Sequence, residues 1–189
     1  QQKLKRHKVK HMRLVATEAC RRAGNGAGFM RQITRETGLT LDIIKPEEEA
    51  RLAVISCAPL VSKETEQLLV VDIGGGSTEL VWIDLCAVPS QERPKAIMRL
   101  HAGFHNANNK HAAAKVVDWI SVPLGVATLR DHFDDVEDDA ARFALMSWYF
   151  EEHLSEFAPY KDEQTRAGLL VFVGDRKSTR LNSSHLVIS

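Results

Sequence analysis

An α/β fold is predicted for this 189-residue chain from three observations along its sequence. Short stretches rich in β-formers alternate with amphipathic stretches of helical period, a pattern typical of mixed sheets and helices. The most apolar stretch, residues 68–73, leads directly into three consecutive glycines. Residues 79–84 after those glycines are again rich in β-formers, so the glycines turn a β-hairpin and do not open a strand-to-helix loop.

The segment before this hairpin predicts the order strand, helix, helix, strand, helix. Strands are expected at residues 12–16 and 41–44, and helices at 18–23, 29–37 and 46 to about 58. Thr17 is positioned to cap the first helix, and Gly38 fits the C-terminal position of the second. Pro46 followed by Glu47, Glu48 and Glu49 starts the third helix, because proline fits a first turn and carboxylates complement its exposed amides.

The segment after the hairpin is expected to continue the α/β pattern. The predicted elements are a returning strand at residues 96–100, a strand at 119–124 before Gly125, helices at 126–133 and 136–157, and a strand at 169–173. Residues 175–189 change abruptly to polar character with little periodicity, and they resemble translated sequencing-adapter DNA. We therefore predict a non-native tail over residues 175–189 and exclude it from the fold.

Composition excludes several classes of partner and site. Lys and Arg balance Asp and Glu at 25 each, so no global field favours nucleic acid or a membrane surface as partner. No apolar run approaches the roughly 20 residues of a membrane helix, and the basic N-terminus lacks a signal peptide's apolar region. A cytoplasmic location is expected. Cys20, Cys57 and Cys86 lack the spacing of a disulfide framework or zinc site, and we interpret them as core thiols.

Residues 72–79, Asp-Ile-Gly-Gly-Gly-Ser-Thr-Glu, are the most informative of the chain. They lack the lysine of a P-loop and the following helix of a dinucleotide fold. Glycines let the backbone approach a ligand, and successive amides can form an anion-binding nest that nearby hydroxyls extend. The candidate phosphate-binding residues are therefore Gly74, Gly75, Gly76, Ser77 and Thr78.

The two acids that flank the glycines, Asp72 and Glu79, are the candidate metal ligands. In a hairpin symmetric about the Gly75–Gly76 bond they face each other, with Cβ atoms about 5 Å apart, and repel unless a cation lies between them. Mg²⁺ is the candidate cofactor, because it prefers oxygen ligands and commonly takes one or two carboxylates plus substrate phosphates. A plain hairpin turn with solvated acids stays open as the alternative at this point.

With these residues in view, the chain resembles the exopolyphosphatase and guanosine pentaphosphate phosphohydrolase (Ppx/GppA) family of the actin-like superfamily. Three blocks carry the resemblance: residues 15–25, 43–52 and 70–81. A weaker likeness extends the coverage from about residue 12 to residue 174. The resemblance implies an actin-like (ribonuclease H-like) phosphotransferase fold, with the latter part of a first lobe over residues 1–63 and most of a second lobe over residues 64–174.

The resemblance also implies a chemistry. Glu49 would act as general base, activating water for attack on the terminal phosphorus of polyphosphate or guanosine pentaphosphate, with Mg²⁺ as cofactor. Interaction with the helix dipole is the alternative explanation for this glutamate. Arg21 matches a phosphate-contacting arginine of the family, and its alternative is a solvated helix residue. A homodimer of the full-length parent is a further hypothesis.

The two ends of the chain depart from the family pattern. Nothing before Met12 resembles the family's first phosphate loop, Asp-Leu-Gly-Ser-Asn-Ser, and the predicted tail replaces a further glycine-threonine turn after Gly174. An incomplete piece of an enzyme is therefore expected, and this piece alone can lack activity because a polyanion cleft needs both lobes. Two rival functions stay open: a small-molecule kinase of the same fold, and a module that senses nucleotide or phosphate without catalysis.

Overall fold

Two units, Gln1–Pro46 and Glu47–Ser189, make up the protein. The structure is a computed structural model, and it describes residues 6–100, 104, 114–157, 169–175 and 186–188. The lobe boundary expected at about residue 63 and the non-native tail expected from residue 175 stay predictions.

The first unit has the predicted order of strand, helix, helix and strand. Its elements are β1 (Val15–Ala16), α1 (Glu18–Arg22), α2 (Gly26–Thr37) and β2 (Asp42–Ile43). The two strands pair in parallel. Gly38 ends α2 in the left-handed conformation, with a φ of 71°. Thr17 precedes α1 as expected, but its hydroxyl makes no capping hydrogen bond and its carbonyl accepts the amide of Cys20 at 3.0 Å.

The second unit is a mixed sheet with helices packed on both faces. Its elements in chain order are α3 (Pro46–Ser56), β3 (Gln67–Ile73), β4 (Thr78–Asp84), α4 (Arg93–Met98), β5 (Lys115–Val122), α5 (Val126–His132), α6 (Asp139–Leu154), β6 (Leu169–Asp175) and β7 (Leu186–Ile188). The strand order is β5-β4-β3-β6-β7, in which β3 and β6 pair in parallel and the other neighbours pair antiparallel. The predicted α/β class is confirmed.

Two hydrophobic cores lie on opposite faces of this sheet, because successive side chains of a strand alternate between faces. The core on the side of α3 and α4 includes Ala50, Val54, Leu68, Val70, Val81, Ile83 and Ile97. The core on the side of α5 and α6 includes Leu80, Trp82, Val122 and Leu124, with Leu129 and Leu154 packed at its margin. Even-numbered residues of β3 and odd-numbered residues of β4 therefore face α3.

The strand predicted at residues 96–100 is wrong, because this segment forms helix α4. Pro94 lies in the first turn of that helix, where its missing amide leaves no intrahelical hydrogen bond unmade. Ile97 is fully buried against the core on the α3 side. The other predicted helices and strands are present, with ends that differ by a few residues.

The three cysteines are free thiols, as their spacing predicts. Cys57 is buried, and burial raises the pKa of its thiol to about 12. Cys20 is partly buried, whereas Cys86 is exposed in the turn after β4, so the core interpretation is wrong for Cys86. Among the residues described here, no helix is both long enough and apolar enough to cross a membrane.

Candidate active site

The glycine turn, residues 74–77, joins β3 to β4 and brings two acids into register. Asp72 pairs with Glu79 across the hairpin, which confirms the predicted symmetric register. The amide of Gly74 donates to the carbonyl of Ser77 at 2.8 Å. Because Asp72 is an even-numbered residue of β3 and Glu79 an odd-numbered residue of β4, both side chains lie on the face of the sheet that carries α3.

Glu79 is a buried carboxyl with a single oxygen satisfied. Its side chain is 1% exposed, and its Oε1 accepts a hydrogen bond from Ser121 Oγ at 3.1 Å. Within the described part of the chain, its Oε2 has no hydrogen-bond partner. Burial raises the pKa of Glu79 to about 7, and the charges of Glu49 and Asp72 add to the rise, while the hydroxyls of Ser77 and Ser121 oppose it. This environment penalises the charged carboxylate unless a cation approaches it.

Glu49 lies in the first turn of α3 and is 8% exposed. It is close enough to Glu79 for its charge to raise the pKa of that carboxyl. We call Glu49, Asp72 and Glu79 the carboxylate cluster. A surface glutamate that serves the helix dipole alone would be solvated, so burial in this cluster sets Glu49 apart from that explanation. Its role as general base stays a prediction.

Glu48, one residue earlier, has a different environment. Its carboxylate accepts two hydrogen bonds from Arg51, Nε to Oε2 at 2.7 Å and Nη2 to Oε1 at 2.8 Å. The same guanidinium donates to the carbonyl of Leu100 at 2.9 Å. Glu48 is therefore neutralised by its own helix, and the pair anchors α3 to the chain that follows α4.

The carbonyl side of the glycine turn is bonded to the start of α5. The contacts are Val126 N to Gly74 O at 3.0 Å, Ala127 N to Gly75 O at 2.9 Å and Thr128 Oγ1 to Gly76 O at 3.4 Å. In a trans peptide the carbonyl and the following amide point in opposite directions, so the amides of Gly75, Gly76 and Ser77 point away from α5. Over the residues that the structure describes, none of these amides donates a hydrogen bond to the protein.

Thr78 lies on the opposite face of the sheet from Glu79. The residue is 3% exposed, and its hydroxyl donates to the carbonyl of Leu124 at 2.7 Å. The hydroxyl therefore ties β4 to the chain before α5 and is not directed to the amide side of the turn. The predicted contact of Thr78 with phosphate stays a prediction, and its hydroxyl would have to leave Leu124 to make it.

Arg21 belongs to the first unit, where its guanidinium has several partners. Its Nε and Nη2 donate to Glu18 Oε2 at 3.1 and 2.9 Å, and its Nη1 donates to the carbonyl of Ile44 at 2.7 Å. Its side chain is 15% exposed, so the alternative of a solvated helix residue is wrong. The predicted contact between Arg21 and phosphate stays a prediction.

Comparison with known proteins decides the family. The model of the Ppx/GppA phosphatase family matches residues 1–185. The chain belongs to the Ppx/GppA family. This confirms the resemblance from which Glu49 and Arg21 took their expected roles.

Three solved structures illustrate the relationship of this Ppx/GppA chain to others. The Ppx/GppA enzyme of Aquifex aeolicus is 30% identical, with a TM-score of 0.52 over 82% of this chain and 43% of its own. An exopolyphosphatase-like protein is 25% identical, with a TM-score of 0.60 over 82% and 42%. An exopolyphosphatase of Cytophaga hutchinsonii, at 24% identity and a TM-score of 0.59 over 83% and 42%, supports the fold alone. The chain has part of an actin-like α/β fold, and it spans less than half the length of these structures.

The acids at the glycine turn of this Ppx/GppA chain fit a divalent cation that is bound partly by the protein and partly by phosphate oxygens. The described residues contain no group of three or more His, Cys, Asp or Glu arranged to hold a metal ion by itself. Mg²⁺ commonly takes one or two carboxylates and completes its octahedron with water and substrate oxygens. Within the described ranges the buried Oε2 of Glu79 has no hydrogen-bond partner. Because Glu79 also lies opposite Asp72 in the hairpin, this oxygen suits such a cation.

Sequence reasoning assigned no role to three residues that contact the carboxylate cluster or the glycine turn. Ser121 bonds Glu79, and Gly125 and Thr128 bring α5 against the glycine turn. Ser121 and Gly125 bound a stretch, Ser-Val-Pro-Leu-Gly, that resembles the family. Thr128 follows Gly125 by three residues, the spacing at which a hydroxyl can bond back to the start of a helix. That spacing was the available signal.

Proposed function

We propose that this Ppx/GppA protein is a Mg²⁺-dependent phosphohydrolase that releases terminal phosphate from phosphoanhydride chains, either polyphosphate or guanosine pentaphosphate. One observation carries the proposal. Asp72 and Glu79 face each other across a turn whose amides of Gly75, Gly76 and Ser77 have no hydrogen-bond acceptor among the described residues. Acids that favour a cation thus stand beside amides that favour an anion, and a magnesium–phosphate pair satisfies both.

The proposed mechanism assigns separate tasks to the residues around the turn. Asp72 and Glu79 would hold Mg²⁺, which when bound neutralises charge on the phosphate oxygens. The amides of Gly75, Gly76 and Ser77 bind oxygens of the terminal phosphate. Ser121 fixes one oxygen of Glu79, so that the other is directed by the protein and not by solvent.

Glu49 would accept the proton of the attacking water. It is buried at the N-terminus of α3, next to the carboxyl of Glu79, whose pKa its charge raises. Phosphoryl transfer needs positioning, charge neutralisation and an oriented nucleophile more than covalent chemistry, so one carboxylate suffices as base. One similar solved structure is that of an exopolyphosphatase-like protein, which supports a phosphoanhydride chain as substrate class.

The test is release of free phosphate by the full-length protein that contains this sequence, with no nucleotide added. We expect release from polyphosphate, from guanosine pentaphosphate or from both, and the ratio of the two rates gives the preference. Removal of Mg²⁺ with a chelator abolishes release, and added Mg²⁺ restores it. A kinase would release no phosphate before a nucleotide is added, and a sensor would bind substrate without release. Either result overturns the proposal.

Two variants and a control test whether Mg²⁺ binds at the hairpin. Asp72→Asn and Glu79→Gln each raise the Mg²⁺ concentration needed for half-maximal release by at least about tenfold, since one charged ligand is lost. Asp84→Asn is the matched control, because Asp84 lies on the same hairpin at its other end, where it pairs with Gln67. An equal response in all three variants would contradict a metal site at the turn.

A further inference from the structure

We propose that Gly125 and Thr128, at the start of α5, are positioning residues that orient the glycine turn so that its amides face phosphate. The inference rests on the proposed function, because it assumes that the turn binds an anion. Neither residue touches substrate in this arrangement, since α5 occupies the carbonyl side of the turn and the amides lie on the other side.

A tight hairpin turn usually makes one internal hydrogen bond. In such a turn the carbonyl of the first residue commonly accepts the amide of the fourth, here Gly74 O from Ser77 N. Gly74 O instead accepts the amide of Val126 at 3.0 Å. In the part of the chain described, the amide of Ser77 makes no such bond. Helix α5 has therefore replaced the internal donor, and the amide of Ser77 is left available.

All three glycine carbonyls of the turn face the start of α5. Gly74 O and Gly75 O accept the amides of Val126 and Ala127, and Gly76 O lies 3.4 Å from the hydroxyl of Thr128. These contacts on one side orient three successive peptide planes, and each plane sends its amide to the opposite side. A glycine run without these bonds would be free to rotate its peptide planes, because glycine occupies more of the φ/ψ map than other residues. Helix α5 thus converts a flexible sequence into an ordered row of donors.

Gly125 allows α5 to approach the turn this closely. A Cβ at position 125 would lie closer than 3.0 Å to Gly74 O, Gly75 C and Gly76 N. All three are backbone atoms, so the contact cannot be relieved by a side-chain rotation. Any larger residue at 125 therefore has to separate α5 from the turn or displace the turn itself.

Thr128 joins the start of α5 to the turn through its side chain and its backbone. Its Oγ1 accepts the amide of Gly125 at 2.8 Å, and its one hydroxyl proton is directed to Gly76 O at 3.4 Å or Gly125 O at 3.3 Å. Its own amide donates to Gly75 O at 3.3 Å. The hydroxyl therefore holds Gly125 in place and reaches the third carbonyl of the turn.

The test compares Thr128→Val, Thr128→Ser and Gly125→Ala with the wild type in the full-length protein. The probe is inorganic phosphate in the presence of Mg²⁺, with dissociation constants from calorimetry and amide shifts of residues 75–77 from NMR. We expect Thr128→Val to weaken phosphate binding by about three- to tenfold, the effect of one hydrogen bond. Thr128→Ser should restore it to within about twofold. Gly125→Ala should weaken binding by more than Thr128→Val.

The Mg²⁺ affinity measured without phosphate separates positioning from general loss of structure. It should stay within about twofold in Thr128→Val, because Asp72 and Glu79 lie on the other face of the sheet. Wild-type phosphate affinity in Thr128→Val, or equal loss in Thr128→Ser and Thr128→Val, overturns the inference without touching the proposed function. If phosphate shifts no amide of residues 75–77 in the wild type, the proposed function fails, and this inference fails with it.

Discussion

Two glutamates of the second unit, the half-buried Glu48 and the buried Glu79, show how differently a fold can treat the same side chain. Glu48 is bound at both oxygens by the guanidinium of Arg51. Glu79 receives a hydrogen bond from the hydroxyl of Ser121 and lies near two further acids whose charges raise its pKa. Both carboxylate oxygens of Glu48 thus have their hydrogen-bond donor within the same helix. Burial penalises the charged form of Glu79, and under the proposed function a cation would offset that penalty.

The largest expected effect separates Glu49 from its neighbour Glu48. Glu49→Gln should lower phosphate release by the full-length protein by about 10²- to 10⁴-fold, the usual contribution of a general base. Glu48→Gln, in the same turn of α3, should change the rate by less than about tenfold, because its partner Arg51 also bonds Leu100. Initial rates at saturating Mg²⁺ measure both. Equal losses would mean that the first turn of α3 acts through its structure alone.

The second prediction concerns pH and stability. The pKa of Glu79 is about 7 in the folded protein against an ordinary value of 4.5. Between these values the folded state holds a proton that the unfolded state has lost, so the free energy of unfolding falls as pH rises. The contribution of Glu79 to the free energy of unfolding should be fully present below about pH 4.5. It should be lost as the pH rises to about 7, by an amount on the order of 3 kcal/mol.

Urea unfolding of wild type and Glu79→Gln at several values of pH measures this effect. The difference between the two proteins isolates Glu79 from every other titrating group. Glu79→Gln should lack the decrease, and Mg²⁺ at pH 8 should stabilise the wild type more than the variant, because it binds the ionised carboxylate. A difference that stays constant from pH 5 to pH 8 would show that Glu79 does not titrate in this range.

The third prediction concerns the ion pair between Glu48 and Arg51. Arg51→Met removes both hydrogen bonds to Glu48 and the bond to the carbonyl of Leu100, and it should lower the free energy of unfolding by about 1–3 kcal/mol. Mg²⁺ affinity should not change, because Arg51 takes no part in the carboxylate cluster. Chemical unfolding with a parallel Mg²⁺ titration measures both quantities. A loss of metal affinity without a loss of stability would reverse the roles assigned to the two glutamates.

The sequence predicted the hairpin and its acids because the signals there are local. A glycine run between two β-forming runs permits few alternatives, and the symmetric register then places Asp72 opposite Glu79. The start of α3 at Pro46 was equally local. The class of fold and the candidate metal pair therefore followed from short segments, together with the resemblance that gave Glu49 and Arg21 their expected roles.

The features that the sequence did not predict depend on distant contacts or on segments too short to show a period. Helix α4 has six residues, and its apolar members fit a strand as well as a helix. The bond from Ser121 to Glu79 depends on the pairing of β4 with β5, whose register shifts between Trp82 and Ile83. The contact of α5 with the glycine turn joins segments some fifty residues apart. None of these can be read from local pattern.

The smallest expected effect concerns Ser121, whose hydroxyl donates to Glu79 Oε1 at 3.1 Å. Ser121→Ala removes a bond that favours the charged carboxylate, so the pKa of Glu79 should rise further and Mg²⁺ should compete less well with the proton. Mg²⁺ titrations at pH 6, 7 and 8 should show affinity about two- to fivefold weaker than the wild type at pH 7, with a smaller difference at pH 8. A second serine, Ser90, lies outside the hairpin, and Ser90→Ala provides the control. If Ser121→Ala weakens binding equally at every pH, Ser121 acts on the metal site through packing and not through the charge of Glu79.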